Sequence, residues 1–580
     1  MSVYEFFLTT SLEKVFPSVC PKRAPQQVIT VLQGELPAVQ LVAYHQPGNA
    51  SDFKNLLFHI TVEGAPTRAR LRCVELLPSD FPVYPSAKDS NYLSTEPGLF
   101  PDLLRPLKNS EWSFPEGQYR ALWIDFPQLK NAIPGEYMVS VIARAPEEIT
   151  RGNGKRIANP NSSEQVYKST FTLRVLAAQL PEQTLLHTEW FYADCLASYY
   201  EVKVFSEKHW QFIENFIQLA GEELGVNTLL TPVFTPPLDT AIGRERPTVQ
   251  LVDIEKTTDG YRFSFDKLTR WCAICKRHGI SHIEVAHLFT QWGAKATPKI
   301  IAAVNGQEKQ IFGWDVPAKS KEYRAFLSSF LPALQTTLNS CGYDRQHVCY
   351  HISDEPQEGD QEGYRAAKEQ VADLLRGCII RDALSNYSYY ENGLVEKPIP
   401  SNDRIDRFIA QRVPDLWVYY CCGQTIDVPN RFYSMPSARN RIMGVLMYLH
   451  EIKGFLHWGY NFYYSQFSLR SIDPYSNTHA DYAFPSGDAY LVYPGSDGQP
   501  IASIRSQVQR NALDDLASLQ LLETLVGRDS VLRLIYENTD GTLTFRHYPT
   551  SPEYLLTLHE AVEREIERAL LQQETKTRGK

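Results

Sequence analysis

Asp354 and Glu355 stand side by side in the stretch His351-Ile352-Ser353-Asp354-Glu355-Pro356. Two carboxyls this close do not easily both ionise, because repulsion raises one pKa and enclosure by aromatic side chains raises it further. One can then act as an acid while the other stays an anion. That is the division of labour glycosidic cleavage needs, with an acid for the leaving oxygen and an anion near the developing positive charge. An acidic pair at the end of a strand also serves simply to cap the next helix or to face solvent, so the surroundings have to decide. On a regular strand, neighbouring side chains face opposite ways, and both reach one cleft only if the backbone turns. Pro356 is expected to hold Glu355 extended and out of helix, as an exit from a strand requires.

The surroundings are aromatic and polar. Trp458, Tyr460 and Asn461 close the run GFLHWGYN, Tyr419 stands near the end of LWVYYC, Tyr387 and Tyr390 follow CIIRDAL, and His287 stands near the end of HIEVAHLF with Trp292 shortly after it. A pyranose stacks its C–H face on such rings while its hydroxyls need amide, hydroxyl or carboxylate partners. Each ring taken singly is as readily core or rim packing, and a lone His287 reads first as a hydrogen-bonded structural residue. No His/Asp/Glu grouping argues for a metal, and no cofactor is expected.

The elements that must position these residues fall into two kinds. From about residue 25 to 177, short alternating segments (VITVLQG, AVQLVAYH, LLFHITVEG, ARLRCVELL, YRALWIDF, GEYMVSVIAR, STFTLRVLA) are separated by turn residues, the pattern of an antiparallel β-sandwich. AAQLPEQT, at about 177 to 184, reads as a linker. Beyond it, apolar strand-like runs alternate with helix-like stretches, as in parallel β/α units. Eight runs are counted: LLHTEWFYA at 185, NTLLTPVF at 227, HIEVAHLF at 282, HVCYHISD at 347, CIIRDAL at 378, LWVYYC at 416, GFLHWGYN at 454 and DAYLVYP at 488. Eight is the number of a (β/α)8 TIM barrel, whose site lies where its strands end. The connections 235 to 265 and 290 to 320 far exceed the roughly two to six residues of a bare βα loop, so they are expected to build the site. The expected fold class is therefore multidomain α/β plus β. An N-terminal antiparallel β-sandwich (1–180) precedes a catalytic barrel (185–528), and a C-terminal extension (529–580) consists of a hairpin, VLRLIYENTDGTLTFRHY, and a last helix packed on the barrel.

Composition removes other classes. At 43% hydrophobic and 22% charged, the 580-residue chain is globular. Its net charge of −9 is spread along the chain with no Lys/Arg run, so no nucleic-acid partner is expected. No stretch approaches the roughly 18 apolar residues of a membrane span. The opening MSVYEFFLTT has no basic n-region, apolar core or cleavage site, which with ten scattered Cys leads us to expect a cytoplasmic protein with reduced thiols. Cys272-x-x-Cys275 lies inside the helix-like WCAICKRHG with no second pair at zinc spacing, and is expected to be core. Oligomeric state is not legible.

Several separated motifs resemble glycoside hydrolase family 123: HISDEP at 351 to 356, AHLFTQWG at 286 to 293, TPPLDT at 235 to 240 with GRERPTVQLVD at 243 to 253, GFLHWGYNF at 454 to 462 and PSGDAYLVYPG at 485 to 495. The resemblance runs from about His187 to about Leu521, and the amino-terminal sandwich matches that family's architecture. It implies an exo-acting, metal-independent, retaining β-N-acetylgalactosaminidase on glycosphingolipid-type glycans, with the substrate's own 2-acetamido carbonyl as nucleophile. Carried onto this chain, Glu355 is the general acid and then base, while Asp354 orients the acetamido N–H and stabilises the oxazolinium-like intermediate. A tyrosine donating to the acetamido oxygen is also implied, with Tyr390 and Tyr387 as candidates and Tyr419 behind them. Trp458, Tyr460, Asn461 and Trp292 are candidates to line the sugar subsite, and Asp239, His287 and Asp473 to bind its hydroxyls. A β-N-acetylglucosaminidase of the same mechanism, a hydrolase of sugars lacking the acetamido group and a non-catalytic carbohydrate-binding protein remain as alternatives.

Overall fold

The computed structural model describes residues 4–24, 28–47, 56–146, 148–150, 156–158, 166–537 and 539–578. Its amino-terminal part stacks two five-stranded sheets. One has the order β1 (Tyr4–Thr10), β3 (Ala38–His45), β8 (Tyr119–Asp125), β5 (Arg70–Ser79), β6 (Gly98–Pro106). The other runs β2 (Val28–Gln33), β12 (Val166–Gln179), β9 (Gly135–Arg144), β4 (Phe58–Glu63), β7 (Glu111–Trp112), and a small pair, β10 (Glu148–Thr150) and β11 (Arg156–Ala158), stands apart. All seven expected sandwich segments are strands. Pairing is antiparallel except for β2 with β12, which run parallel. Alternation shows how β3 is used: Val39, Leu41 and Ala43 enter the core between the sheets, while Val42 on the opposite face packs with Ile504, Val508 and Leu513. That sheet is thus covered on both faces, by its partner sheet and by the helix Ile504–Val526.

Eight short parallel strands then form the barrel: β13 (Leu186–Glu189), β14 (Thr228–Thr231), β17 (His282–Val285), β20 (Val348–Tyr350), β21 (Ile379–Ala383), β22 (Lys397–Ile399), β23 (Trp417–Tyr419) and β24 (Gly454–His457). Each pairs with the next, β24 returns to β13, and the seam between β22 and β23 is closed by the bridge Ser401↔Tyr419. The long connections after β14 and β17 form a separate four-stranded sheet, β16 (Gly260–Ser264), β15 (Asp253–Thr257), β18 (Ile300–Val304), β19 (Gln307–Phe312).

Two expectations are corrected. DAYLVYP is not a barrel strand: Leu491 N–H and Val492 N–H both donate to Tyr460 O, and Tyr490 bridges Asn461 in antiparallel fashion. The missing strand is β22, three residues with Pro398 in the middle. It is tolerated there because β22 lies at the seam and is fully paired on one side only. Nor do the described residues of the carboxy-terminal segment form the expected hairpin. Residues Arg528–Tyr536 are a helix that buries Val531 and Ile535, four apart on one face, and among the described residues beyond it Thr544 bridges His547. A final helix, Pro552–Arg578, follows.

Cys272 and Cys275 are core residues of the helix Asp266–Arg277, and all ten cysteines are free thiols. Among the described residues no helix is long and apolar enough to cross a membrane.

Candidate active site

β20 ends at Tyr350, and the next five residues are held by their backbone. Asp382 on β21 accepts the N–H groups of Ile352 and Ser353 at 2.9 and 3.3 Å and also the Tyr364 hydroxyl. Ser353 Oγ donates to Thr290 O at 2.9 Å, Trp292 N–H to Asp354 O at 3.0 Å and Glu355 N–H to Ala383 O at 3.0 Å. Glu355 has φ 41°, in the left-handed region instead of the extended one expected before a proline. This is the turn the pair needs, and it brings both carboxyls to one cavity of about 340 Å³.

The cavity wall is assembled from the ends of several strands. Trp190 and Tyr192 follow β13, Leu238 and Asp239 follow β14, Gln291 and Trp292 follow β17, Tyr419 ends β23, and Trp458 follows β24, with Phe467 and Phe484 beyond it. Tyr419 Oη donates to Glu355 Oε1 at 2.6 Å. Burial raises the pKa of Glu355 and that hydrogen bond opposes the rise. Burial and then repulsion from Glu355 push Asp354 well above its ordinary range, opposed by the charge of His351. The pair therefore holds one proton more readily than it bears two charges. Asp239 is raised to about 6 by burial, while its Oδ2 accepts Phe467 N–H at 3.0 Å.

Of the residues singled out from the sequence, Asp354, Glu355, Tyr419, Trp458, Trp292 and Asp239 line the cavity, and six others do not. Tyr387 packs on Phe408 beneath the Arg407 guanidinium, with Tyr390 against it. Tyr460 is fully buried and donates to Phe216 O at 2.8 Å. Asn461 clamps the backbone of Tyr192 from both sides. His287 is fully buried, stacked on His351 at 4.5 Å and edge-on to Trp190. Asp473 sits at the surface, where it accepts Tyr475 N–H and Ser476 Oγ–H in a turn. Trp190 and Tyr192 were missed, although they close the first run. Both are buried, and neither Trp190 Nε1 nor Tyr192 Oη has a hydrogen-bond partner among the described residues. Asp488, which holds Trp458 Nε1 at 2.9 Å, was read as part of a strand.

His287, His351 and Asp382 bring potential metal-ligand atoms within 4.8 Å of one another beneath this cavity. Both ring nitrogens of His287 are without a hydrogen-bond partner among the described residues, but the other two groups have no lone pair free for an ion. His351 faces acceptors with both ring nitrogens, Arg381 O at 2.6 Å and Glu284 Oε1 at 3.1 Å, and so donates from both, while Asp382 already accepts three hydrogen bonds.

A parallel barrel whose strand ends deliver paired carboxyls into an aromatic-walled cavity has the construction of a glycoside hydrolase. The profile described as glycoside hydrolase 123, catalytic domain, matches residues 190–522, and the chain belongs to that family. Among solved structures, a family 123 glycoside hydrolase from Clostridium perfringens, described for glycolipid glycan hydrolysis, superposes with a TM-score of 0.70 over 99% of both chains at 14% identity. The fold thus extends over the sandwich as well as the barrel. An endo-1,4-beta-D-mannanase from Thermotoga petrophila has a TM-score of 0.33 at 13% identity, covering 58% of this chain and 99% of its own. A family 5 mannosidase from Rhizomucor miehei has 0.31 at 12%, covering 58% and 94%. No curated protein matches the sequence.

Proposed function

We propose that this glycoside hydrolase is an exo-acting, retaining β-N-acetylgalactosaminidase that uses the 2-acetamido group of its substrate as nucleophile. The observation carrying the reading is that Asp354 and Glu355 are adjacent in the chain and enter one cavity together. Direct attack by one carboxylate while the other protonates the leaving group calls for two carboxyls about 5–5.5 Å apart on opposite sides of the bond. Neighbours leaving the same strand end suit instead a nucleophile supplied by the sugar.

In this reading Glu355 gives its proton to the leaving oxygen as the acetamido carbonyl oxygen attacks C1 and the C1–O bond breaks. Asp354, ionised while the proton of the pair sits on Glu355 before the reaction, accepts the acetamido N–H and faces the resulting oxazolinium, and the departure of the proton leaves Glu355 a carboxylate. Glu355 then takes a proton from water as water oxygen adds to C1 and the ring opens, and two inversions leave the configuration retained. Tyr419 holds Glu355 through the 2.6 Å hydrogen bond, so the unpartnered hydroxyl of Tyr192 is the better candidate to donate to the acetamido oxygen. Trp458 and Trp292 offer stacking faces and Asp239 a hydroxyl partner. The Clostridium perfringens relative acts on glycolipid glycans, and we take terminal β-linked N-acetylgalactosamine of such glycans as the substrate here.

The test is hydrolysis of matched nitrophenyl β-glycosides of N-acetylgalactosamine, N-acetylglucosamine and galactose. Release from the first alone is expected; equal release from the second would remove the galacto preference, and release from galactose would sink the acetamido mechanism. On an unactivated oligosaccharide, Glu355→Gln should lose about 10²–10⁴-fold in kcat. Loss of that order with binding intact separates an enzyme from a binding protein.

A further inference from the structure

Just beyond Tyr419, the chain leaving β23 carries two adjacent cysteines into the cavity. Cys421 and Cys422 both line it, and both are partly exposed free thiols. Neighbouring side chains face one space only where the backbone turns. It turns here: Gln424 N–H donates to Cys421 O at 3.2 Å, so Cys421-Cys422-Gly423-Gln424 is a hydrogen-bonded β-turn. The Gln424 side chain fixes the turn by accepting Cys421 N–H at 2.9 Å and Cys421 Sγ–H at 3.3 Å. Cys422 lies within hydrogen-bonding reach of Cys421 and of the Tyr84 hydroxyl, which the sandwich extends from the segment between β5 and β6.

Two thiols in one turn make a soft, bidentate donor set. A tetrahedral zinc needs four ligands, and among the described residues no further histidine, cysteine or carboxylate joins the pair at ligand distance. Trivalent arsenic that carries one organic group needs only two sulfurs. The state of the thiols favours the same class of ligand. The hydrogen bond with Cys422, and then burial, hold the Cys421 thiol well above its ordinary range, so it reacts poorly with alkylating agents, which require a thiolate. An arsine oxide has no such requirement, because its own oxygen takes up the thiol protons. Gln424 Oε1 still accepts Cys421 N–H once the thiol proton has gone, so no acceptor is stranded.

We propose that Cys421 and Cys422 form a dithiol site for trivalent organoarsenicals, and that its occupation blocks the cavity. In the reaction the two S–H bonds and the As=O bond break, two S–As bonds form, and the oxygen leaves as water with both thiol protons; no electrons are exchanged. The second S–As bond forms within the molecule, which raises retention far above that of a single thiol. The captured group takes up space in the cavity beside Tyr419 and the Glu355 that it holds. Blockage of turnover rests on the hydrolase function proposed for this cavity; capture by the thiols does not.

The experiment treats the full chain with phenylarsine oxide and reads its intact mass together with turnover of the nitrophenyl glycoside. Near stoichiometric reagent, one phenylarsenic group per chain and a loss of rate of about tenfold or more are expected. A small dithiol should restore the rate, and a monothiol at the same concentration should not. Cys421→Ser and Cys422→Ser should each lose the adduct and the inhibition, whereas Cys341→Ser should keep both. An adduct that survives in both of the first two variants lies on other cysteines and overturns the proposal, as does an adduct on the pair that leaves turnover unchanged. An untreated chain that hydrolyses none of the glycosides would sink the proposed function, and the mass would still decide capture. Should a variant fail to fold, peptide mapping of the adduct on the unaltered chain decides the matter: a site other than Cys421 and Cys422 overturns the proposal.

Discussion

At the scale of single residues, the acidic pair carries both the chemistry and a penalty in stability. Replacing Asp354 by Asn removes the anion that faces the oxazolinium, and a loss in kcat of about 10²–10³-fold or more is expected. The same change should raise Tm at neutral pH. Burial lifts both carboxyls above their unfolded values, and repulsion from Glu355 adds to the rise of Asp354. A group with a raised folded pKa favours folding below its unfolded pKa and loses that contribution as pH rises through the folded one. The advantage of the Asn variant over the parent is therefore largest at neutral pH and shrinks as pH falls toward about 4, below which the parent's carboxyls are protonated in both states. Parallel melting curves at pH 4 and pH 7 check this, and a Tm gain independent of pH would contradict it. The carboxyls were legible because adjacency at a strand end is a local feature. Tyr192 was no less local, following β13 directly, but its open hydroxyl depends on Asn461 holding its backbone, a partner 269 positions away. Tyr387 and Tyr390 had the right position after a strand, and their rings were drawn off by Phe408 and Arg407.

At the scale of elements, the site depends on one strand correcting the exit of another. β20 alone would direct neighbouring side chains to opposite faces. Asp382 on β21 captures the N–H groups of Ile352 and Ser353 just before the turn, and Glu355 N–H closes on Ala383 O from the same strand. Asp382→Ala removes that anchor and strands three buried donors, the two N–H groups and the Tyr364 hydroxyl, so kcat should fall about 10²-fold, since a displacement of about 1 Å suffices for such a loss. KM should change less, and Asp382→Asn, which keeps an acceptor oxygen, should recover part of the rate. A KM effect that outweighs the kcat effect would place Asp382 in substrate binding instead. Seven of the barrel strands were readable as apolar runs at intervals that allow a crossover helix. β22 was not, because three residues around a proline have no period, and its strand state follows from closure of the barrel. DAYLVYP has the composition of a buried strand and is buried, but beside the segment after β24 instead of in the barrel. Periodicity reports burial without naming the neighbour.

At the scale of the whole molecule, the sandwich is joined to the wall of the cavity by a continuous set of contacts. Asp102 on β6 is fully buried and accepts both Nε and Nη2 of Arg505 at 2.9 Å. Arg505 in turn donates to Gly487 O and Tyr490 O at 2.6 and 2.9 Å, on either side of Asp488, which holds Trp458 Nε1 at the cavity wall. No local signal in the sequence connects residue 102 to residue 458; the relation exists only because the face of the sheet opposite the sandwich core is buried against the barrel's last helix. Asp102→Ala would leave the Arg505 cation buried without its counter-charge, a loss of about 3–5 kcal/mol for a broken buried pair. It should also loosen the loop that carries Asp488, so that Trp458 no longer presents a fixed face to the sugar. The expected result is a large fall in Tm together with a rise in KM that exceeds any fall in kcat at temperatures where the variant remains folded. Melting curves and full kinetics on the same preparation test both parts. A destabilised variant with unchanged KM would show that the sandwich supports the barrel without bearing on the site.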